Sequence, residues 1–155
     1  MTVSLSTPVT GAAQTGLTSP TYTLVTDVSP LPQGKQWVVS ALGGTQAGVT
    51  THSVSSPFTL NVTRPTQLRT LGAPNPITGV ISNVPMNKYT LLVRKGVTIL
   101  SGQAIQIGTI RVEISAPAGS DTADTPNLRA MCSAAIGALD QVSSGFGDTL
   151  VSGVL

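Results

Sequence analysis

The hydrophobic period of this chain changes once, from two to about 3.6, and that change confines it to an α+β fold. Before the change, "TYTLVTDV" (Thr21–Val28), "FTLNVTR" (Phe58–Arg64) and "TIRVEIS" (Thr109–Ser115) alternate apolar with polar residues. Alternation of this kind marks strands with one face in a core and one face on something polar. After it, Leu128, Met131, Cys132, Ala135, Leu139 and Val142 recur at helical spacing and form one apolar stripe. Strands first and helices last predict an antiparallel sheet covered on one face. The 155 residues suit a single domain, with a β region over 1–118 and helices over 119–155.

Turn chemistry separates the strands. "SPLPQGK" ends the first, "KQWVVSAL" is a short strand carrying the only Trp, and "GGTQAG" reads as a flexible turn. A long Pro/Gly-rich connection runs from Thr70 to Pro85 before "NKYTLLVRK". Ile105 and Ile107 keep the opposite phase to Ile110, Val112 and Ile114, so Gly108 is expected to mark a bulge or a strand entry. Six or seven strands result. "APAGSDTADTP" reads as a linker, with Thr125 as helix cap and Pro126 at the first helical position. Ser143-Ser144-Gly145 is expected to stop that helix, and Asp148 to cap a last short one through Leu150, Val151 and Val154.

One helix on one sheet makes a thin core for this length. Its stripe is rich in small residues, with Ala134, Ala135, Gly137 and Ala138 beside Leu128, Met131 and Leu139, which suits close packing against a second chain. Only 9% of residues are charged, against a usual ~25%, so little keeps free monomers apart in solution. An interlocked homodimer answers both observations.

The charges are segregated. Val28 to Val112 holds seven basic residues and no acidic one; from Glu113 onward five acidic residues accompany only Arg129. Such asymmetry points to an anionic partner on one face, with scattered solubilising cations as the bland alternative. The polar phases of three strands supply chemistry for one. Thr59, Asn61 and Thr63 alternate on the first, Lys88, Thr90 and Arg94 on the second with Leu92 as an apolar exception, and Thr109, Arg111 and Glu113 on the third. If these strands are neighbours, one face carries hydroxyls, an amide and cations, the groups that reach phosphate and sugar. Tyr89 belongs to the opposite phase, so the face lacks an aromatic for stacking bases, which favours shape-led or non-specific RNA binding.

Catalytic patterns do not appear. His52 is the only histidine, without a neighbouring carboxylate or cysteine, and is expected at the surface. Glu113 is expected in an ion pair across the sheet. One cysteine excludes a disulfide framework or a multi-cysteine zinc site, and Cys132 reads as a small buried hydrophobe. No cofactor or metal is implied, and no enzyme is expected. No apolar run approaches the ~20 residues of a membrane helix. Asn61-Val62-Thr63 spells a glycosylation acceptor, but "MTVSLSTPVTGAAQ" lacks the basic and apolar regions of a signal peptide.

The order and spacing of "KQWVVS", "SSPFTLNVTR", "NKYTLLVRK" and "TIRVEISAPAGSDTADTPNLRAMCSAAIGAL" resemble the coat proteins of the single-stranded RNA bacteriophages. The resemblance covers about residues 21–150 and is strongest from Lys88 onward. It implies an N-terminal β-hairpin, a five-stranded antiparallel sheet and two C-terminal helices that cross the partner's sheet, giving an intertwined dimer with a ten-stranded sheet. It implies further that dimers close into an icosahedral shell, assembled in the bacterial cytoplasm, whose inner sheet face binds genomic RNA and, in studied members, a translation-repressing hairpin. Carried over by strand phase, Thr59, Asn61, Thr63, Lys88, Thr90, Leu92, Arg94, Thr109 and Arg111 lie on that face. Two positions depart from the hairpin binders, Leu92 for a lysine and Thr109 for a stacking tyrosine. Gly96 to Ile105 would include a loop meeting its symmetry mates. The rival readings are a small extracellular adhesin-like module with Asn61 as its sugar site, and an RNA-binding protein that does not assemble.

Overall fold

The computed structural model describes residues 3–155 as one antiparallel sheet followed by helices. The strands are β1 (Val9–Thr10), β2 (Thr18–Asp27), β3 (Gly34–Thr45), β4 (Phe58–Thr63), β5 (Met86–Val97) and β6 (Gln106–Pro117), and they lie side by side in chain order. The expected N-terminal hairpin is therefore short: two-residue β1 pairs with β2, and hairpin and sheet are one six-stranded layer with five longer strands. β2 and β3 form a longer arm than their alternation predicts, because Gly43 and Gly44 continue β3 where the sequence suggests a turn. Gly44 sits at φ +73° against the Ser19 carbonyl, a position with no room for a side chain. Register shifts beside Thr21 and Leu24 interrupt the β2–β3 ladder.

Gly108, expected to mark a bulge or a strand entry, makes no bulge, and β6 begins two residues before it at Gln106. β5 and β6 pair without interruption from Met86↔Pro117 to Val97↔Gln106, so Ile107 stays in ladder and shares the phase of Thr109 and Arg111. The uninterrupted ladder overrides the local apolar pattern.

The core occupies only half of the sheet. Leu24, Trp37 and Val39 are buried, with Leu5, Val9, Tyr22, Leu42, Phe58, Leu60 and Val62 packed around them. Tyr22 and Phe58 meet edge to face at 5.6 Å. His52 is half-buried rather than a surface residue: its Nδ1 accepts from the Phe58 amide at 3.0 Å, and its own amide donates to the Val39 carbonyl at 2.8 Å. It ties the β3–β4 connection to the sheet. Lys95 fastens the same connection, donating to the Thr50 carbonyl and hydroxyl at 2.8 Å above the Phe58 ring, and burial pushes its amine below the ordinary lysine value.

The linker contains a single turn, α1 (Ser120–Ala123), before α2 (Thr125–Gln141) and α3 (Ser143–Ser152). The cap of α2 is Asp124, one residue ahead of the expected Thr125, because its carboxylate reaches the Asn127 amide at 3.3 Å and the Asn127 side chain at 2.8 Å. α3 starts at once at Ser143 and runs through Gly145, which places Asp148 inside the helix instead of at its cap. Ser143 is held from outside: the Gln14 side chain donates to its carbonyl and its hydroxyl donates to the Ala13 carbonyl, both at 2.8 Å.

Candidate RNA-binding and dimerisation surfaces

The ladders place the polar residues in rows across the sheet. One row runs Val38, Thr59, Arg94, Thr109; the next runs Gln36, Asn61, Leu92, Arg111; a third runs Gly34, Thr63, Thr90, Glu113, with Lys88 beside Ser115 after it. Thr59, Asn61, Thr63, Lys88, Thr90, Arg94, Thr109 and Arg111 thus all share one face. Sequence reasoning missed Gln36 and Val38, although the same period of two applied to "KQWVVS" puts both there.

The face has two unlike halves. Towards β2 and β3 its polar groups are either bonded to one another or buried. Asn61 is 6% exposed, and its amide nitrogen donates to Ser29 Oγ at 3.0 Å and Gln36 Oε1 at 3.4 Å. Gln36 in turn donates to Asp27 Oδ2 at 2.7 Å, and this hydrogen bond holds the Asp27 carboxyl below the usual carboxylate range. Thr59 is 5% exposed between Val38 and Arg94, and its hydroxyl has no partner among the described residues. The Asn61 nitrogen that a glycan would need is buried and bonded in mid-strand.

Towards β5 and β6 the face is open. Thr109 and Arg111 are exposed, and Thr90, Leu92 and Arg94 are half-buried. Glu113 finds its partner in Lys88, with Nζ 2.9 Å from Oε1, rather than in neighbouring Arg111. That is the one salt bridge among the described residues, so Arg94 and Arg111 keep their charges free. Row by row the surface passes from the Asp27 carboxylate to the Arg111 guanidinium.

The opposite face is bare over the same strands. Ile110 and Ile114 are exposed on β6, whose outer edge pairs with no strand among the described residues. No residue of α2 or α3 is buried. Met131, Ala135 and Leu139 of the sequence-read stripe are exposed; Leu128 and Cys132 are half-buried. Leu128 and Met131 border a groove of about 190 Å³ with Leu68, Tyr89 and Ile114, which joins the helix stripe to the bare sheet. Among the described residues no cluster of three His, Cys, Asp or Glu could hold a metal, and no helix is long and apolar enough to cross a membrane.

The chain is similar to the solved virus-like particle of bacteriophage ESE020, at 59% identity and a TM-score of 0.96 over 99% of this chain and 100% of that one. A virus-like particle of Wenzhou levi-like virus 4 matches at 22% identity and a TM-score of 0.48, over 84% of this chain and 74% of that one. No protein-family model matches, and neither does any curated protein.

Proposed function

The chain belongs to the coat proteins of the single-stranded RNA bacteriophages, and from that premise we propose that it is the capsid subunit of such a phage. The observation that carries this reading is the unfinished half of the fold. The chain exposes 10848 Å², whereas a compact monomer of its mass exposes about 7,300 Å². Part of that surplus lies on the two helices, where no residue is buried, and on the β6 face, where Ile110 and Ile114 are exposed. An unpaired twelve-residue edge next to exposed isoleucines is an aggregation hazard in a monomer and a joint in an oligomer. Pairing two β6 edges about a twofold axis joins the longer strands of both subunits into a ten-stranded sheet, and laying α2 and α3 over the partner's β5–β6 face covers the stripe of Leu128, Met131, Ala135 and Leu139.

RNA would then meet the polar face, chiefly its open half. Arg94 and Arg111 supply the attraction for phosphate, Thr90, Thr63 and Thr109 the hydroxyls, and Lys88 a charge already shared with Glu113. Leu92 and Thr109 occupy the middle of that half and provide neither a lysine nor a stacking ring, which supports packaging without a fixed sequence over recognition of one hairpin. Shell formation in the host cytoplasm, where the genome is present, follows from the same reading.

Analytical ultracentrifugation of dissociated particles tests the dimer. The smallest folded species is expected to have twice the chain's mass; a folded monomer with intact helical circular dichroism would refute the interlocked arrangement.

A further inference from the structure

Within the β4–β5 connection, residues 64–85, the part beyond Leu68 belongs to neither the RNA face nor the groove beside the dimer stripe. We propose that its turn at 75–80 is a contact between neighbouring dimers, with Ile77 and Val80 entering a second copy of this chain. The proposal rests on the capsid reading.

Three observations carry it. First, the loop is built rather than slack. Asn87, buried at the start of β5, accepts from the Arg69 amide at 2.8 Å and donates to the Arg69 carbonyl at 3.2 Å. The Ala118 amide donates to the Pro85 carbonyl at 2.8 Å, and Leu71 packs on Gly119, whose φ of +85° and missing Cβ make the room. At the tip, Asn75 Oδ1 accepts from the amides of Ile77 (2.8 Å) and Thr78 (3.2 Å). The Asn75 carbonyl accepts from the Gly79 amide (2.8 Å), and the Asn75 amide donates to the Val80 carbonyl (3.0 Å). A tip already closed on itself loses little freedom when it docks.

Second, the tip shows apolar side chains to solvent. Ile77 is 92% exposed and Val80 61% exposed, and between Arg69 and Lys88 no residue is charged. A tip facing RNA would carry cations, and this one has none. A charge-free, rigid apolar knob fits a protein surface.

Third, the loop lies at the opposite end of the sheet from the other β5 connection. It leaves from the β5 end opposite the 98–105 loop, about 40 Å away along twelve residues. A closed shell requires every dimer to meet neighbours on more than one side. A second copy is the protein available to each dimer in a particle such as that of the 59% identical relative.

The test compares wild type with Ile77→Asp/Val80→Asp and with Ile77→Ala/Val80→Ala. Dimers are followed by size exclusion and circular dichroism, and particles by electron microscopy and thermal dissociation. The expected result is folded dimers with at least tenfold fewer particles for the aspartate pair, and particles that dissociate at lower temperature for the alanine pair. Aspartate-pair particles at wild-type yield and dissociation temperature overturn the proposal and leave the loop to some other occupant. Should the aspartate pair give no folded dimer, the alanine pair decides, and unchanged dissociation overturns the proposal. A wild-type chain that makes no particles would instead overturn the capsid reading.

Discussion

Lys88 and Glu113 meet diagonally across β5 and β6, Nζ to Oε1 at 2.9 Å, and so neutralise the one carboxylate that the described residues place on the open half of the polar face. The hydrogen bond from Lys88, then its charge, hold the Glu113 carboxyl below the ordinary glutamate value. A carboxyl lowered in the folded state keeps its interaction above the ordinary value and loses it as pH falls through the lowered one. Acidification therefore releases Lys88 towards the RNA side. Glu113→Gln is expected to do the same at neutral pH. RNA should then bind more tightly at low salt, and the log–log salt slope should steepen by about 0.7 for each further phosphate that is neutralised. RNA-to-protein ratio across a salt series measures this, and an unchanged slope would mean Lys88 does not reach RNA.

Arg94 and Arg111 hold their charges without a carboxylate partner in adjacent rows. Replacing both by alanine is expected to lower packaged RNA roughly twofold or more while dimers stay folded. Ultraviolet absorbance ratios of purified particles report it; wild-type RNA content would remove these two residues from the interface.

Thr59 and Asn61 are expected to behave as structural residues. Thr59→Val removes a buried hydroxyl that has no partner among the described residues, so dimer stability should stay level or rise by about 1 kcal/mol. Asn61→Ala strips the partner from Ser29 and Gln36 and should cost about 1–3 kcal/mol with RNA content unchanged. Chemical denaturation with parallel RNA assay separates these outcomes, and a loss of RNA in a stable Thr59→Val dimer would show that the hydroxyl binds RNA.

Leu139→Asp places a charge in the stripe that the partner would cover. Burial of an unpaired carboxylate costs several kcal/mol, enough to abolish a dimer of ordinary affinity. Size exclusion should show no particles and no dimer; normal particles would mean that the stripe faces solvent in the shell.

The sheet and main helix were legible because alternation in "FTLNVTR" and the stripe from Leu128 to Val142 each have one geometric solution. Face membership of the polar residues followed, since the period of two fixes it once strands are neighbours. Burial did not follow. That Asn61 is consumed by Ser29, 32 residues earlier, depends on where the β2–β3 turn folds, and no local pattern encodes it. The half-burial of His52 is hidden as well, because its partner, the Phe58 amide, is a backbone group that no side-chain motif announces. The helix junction at Ser143 is equally invisible locally, because Gln14 and Ala13 supply its hydrogen bonds from the far end of the chain.

Expression of the unmodified chain in bacteria, followed by size exclusion and electron cryo-microscopy, tests the central claim most directly. Megadalton shells of dimers that protect host RNA from nuclease are the predicted result. A stable, soluble 15.7 kDa monomer that binds no RNA would contradict it.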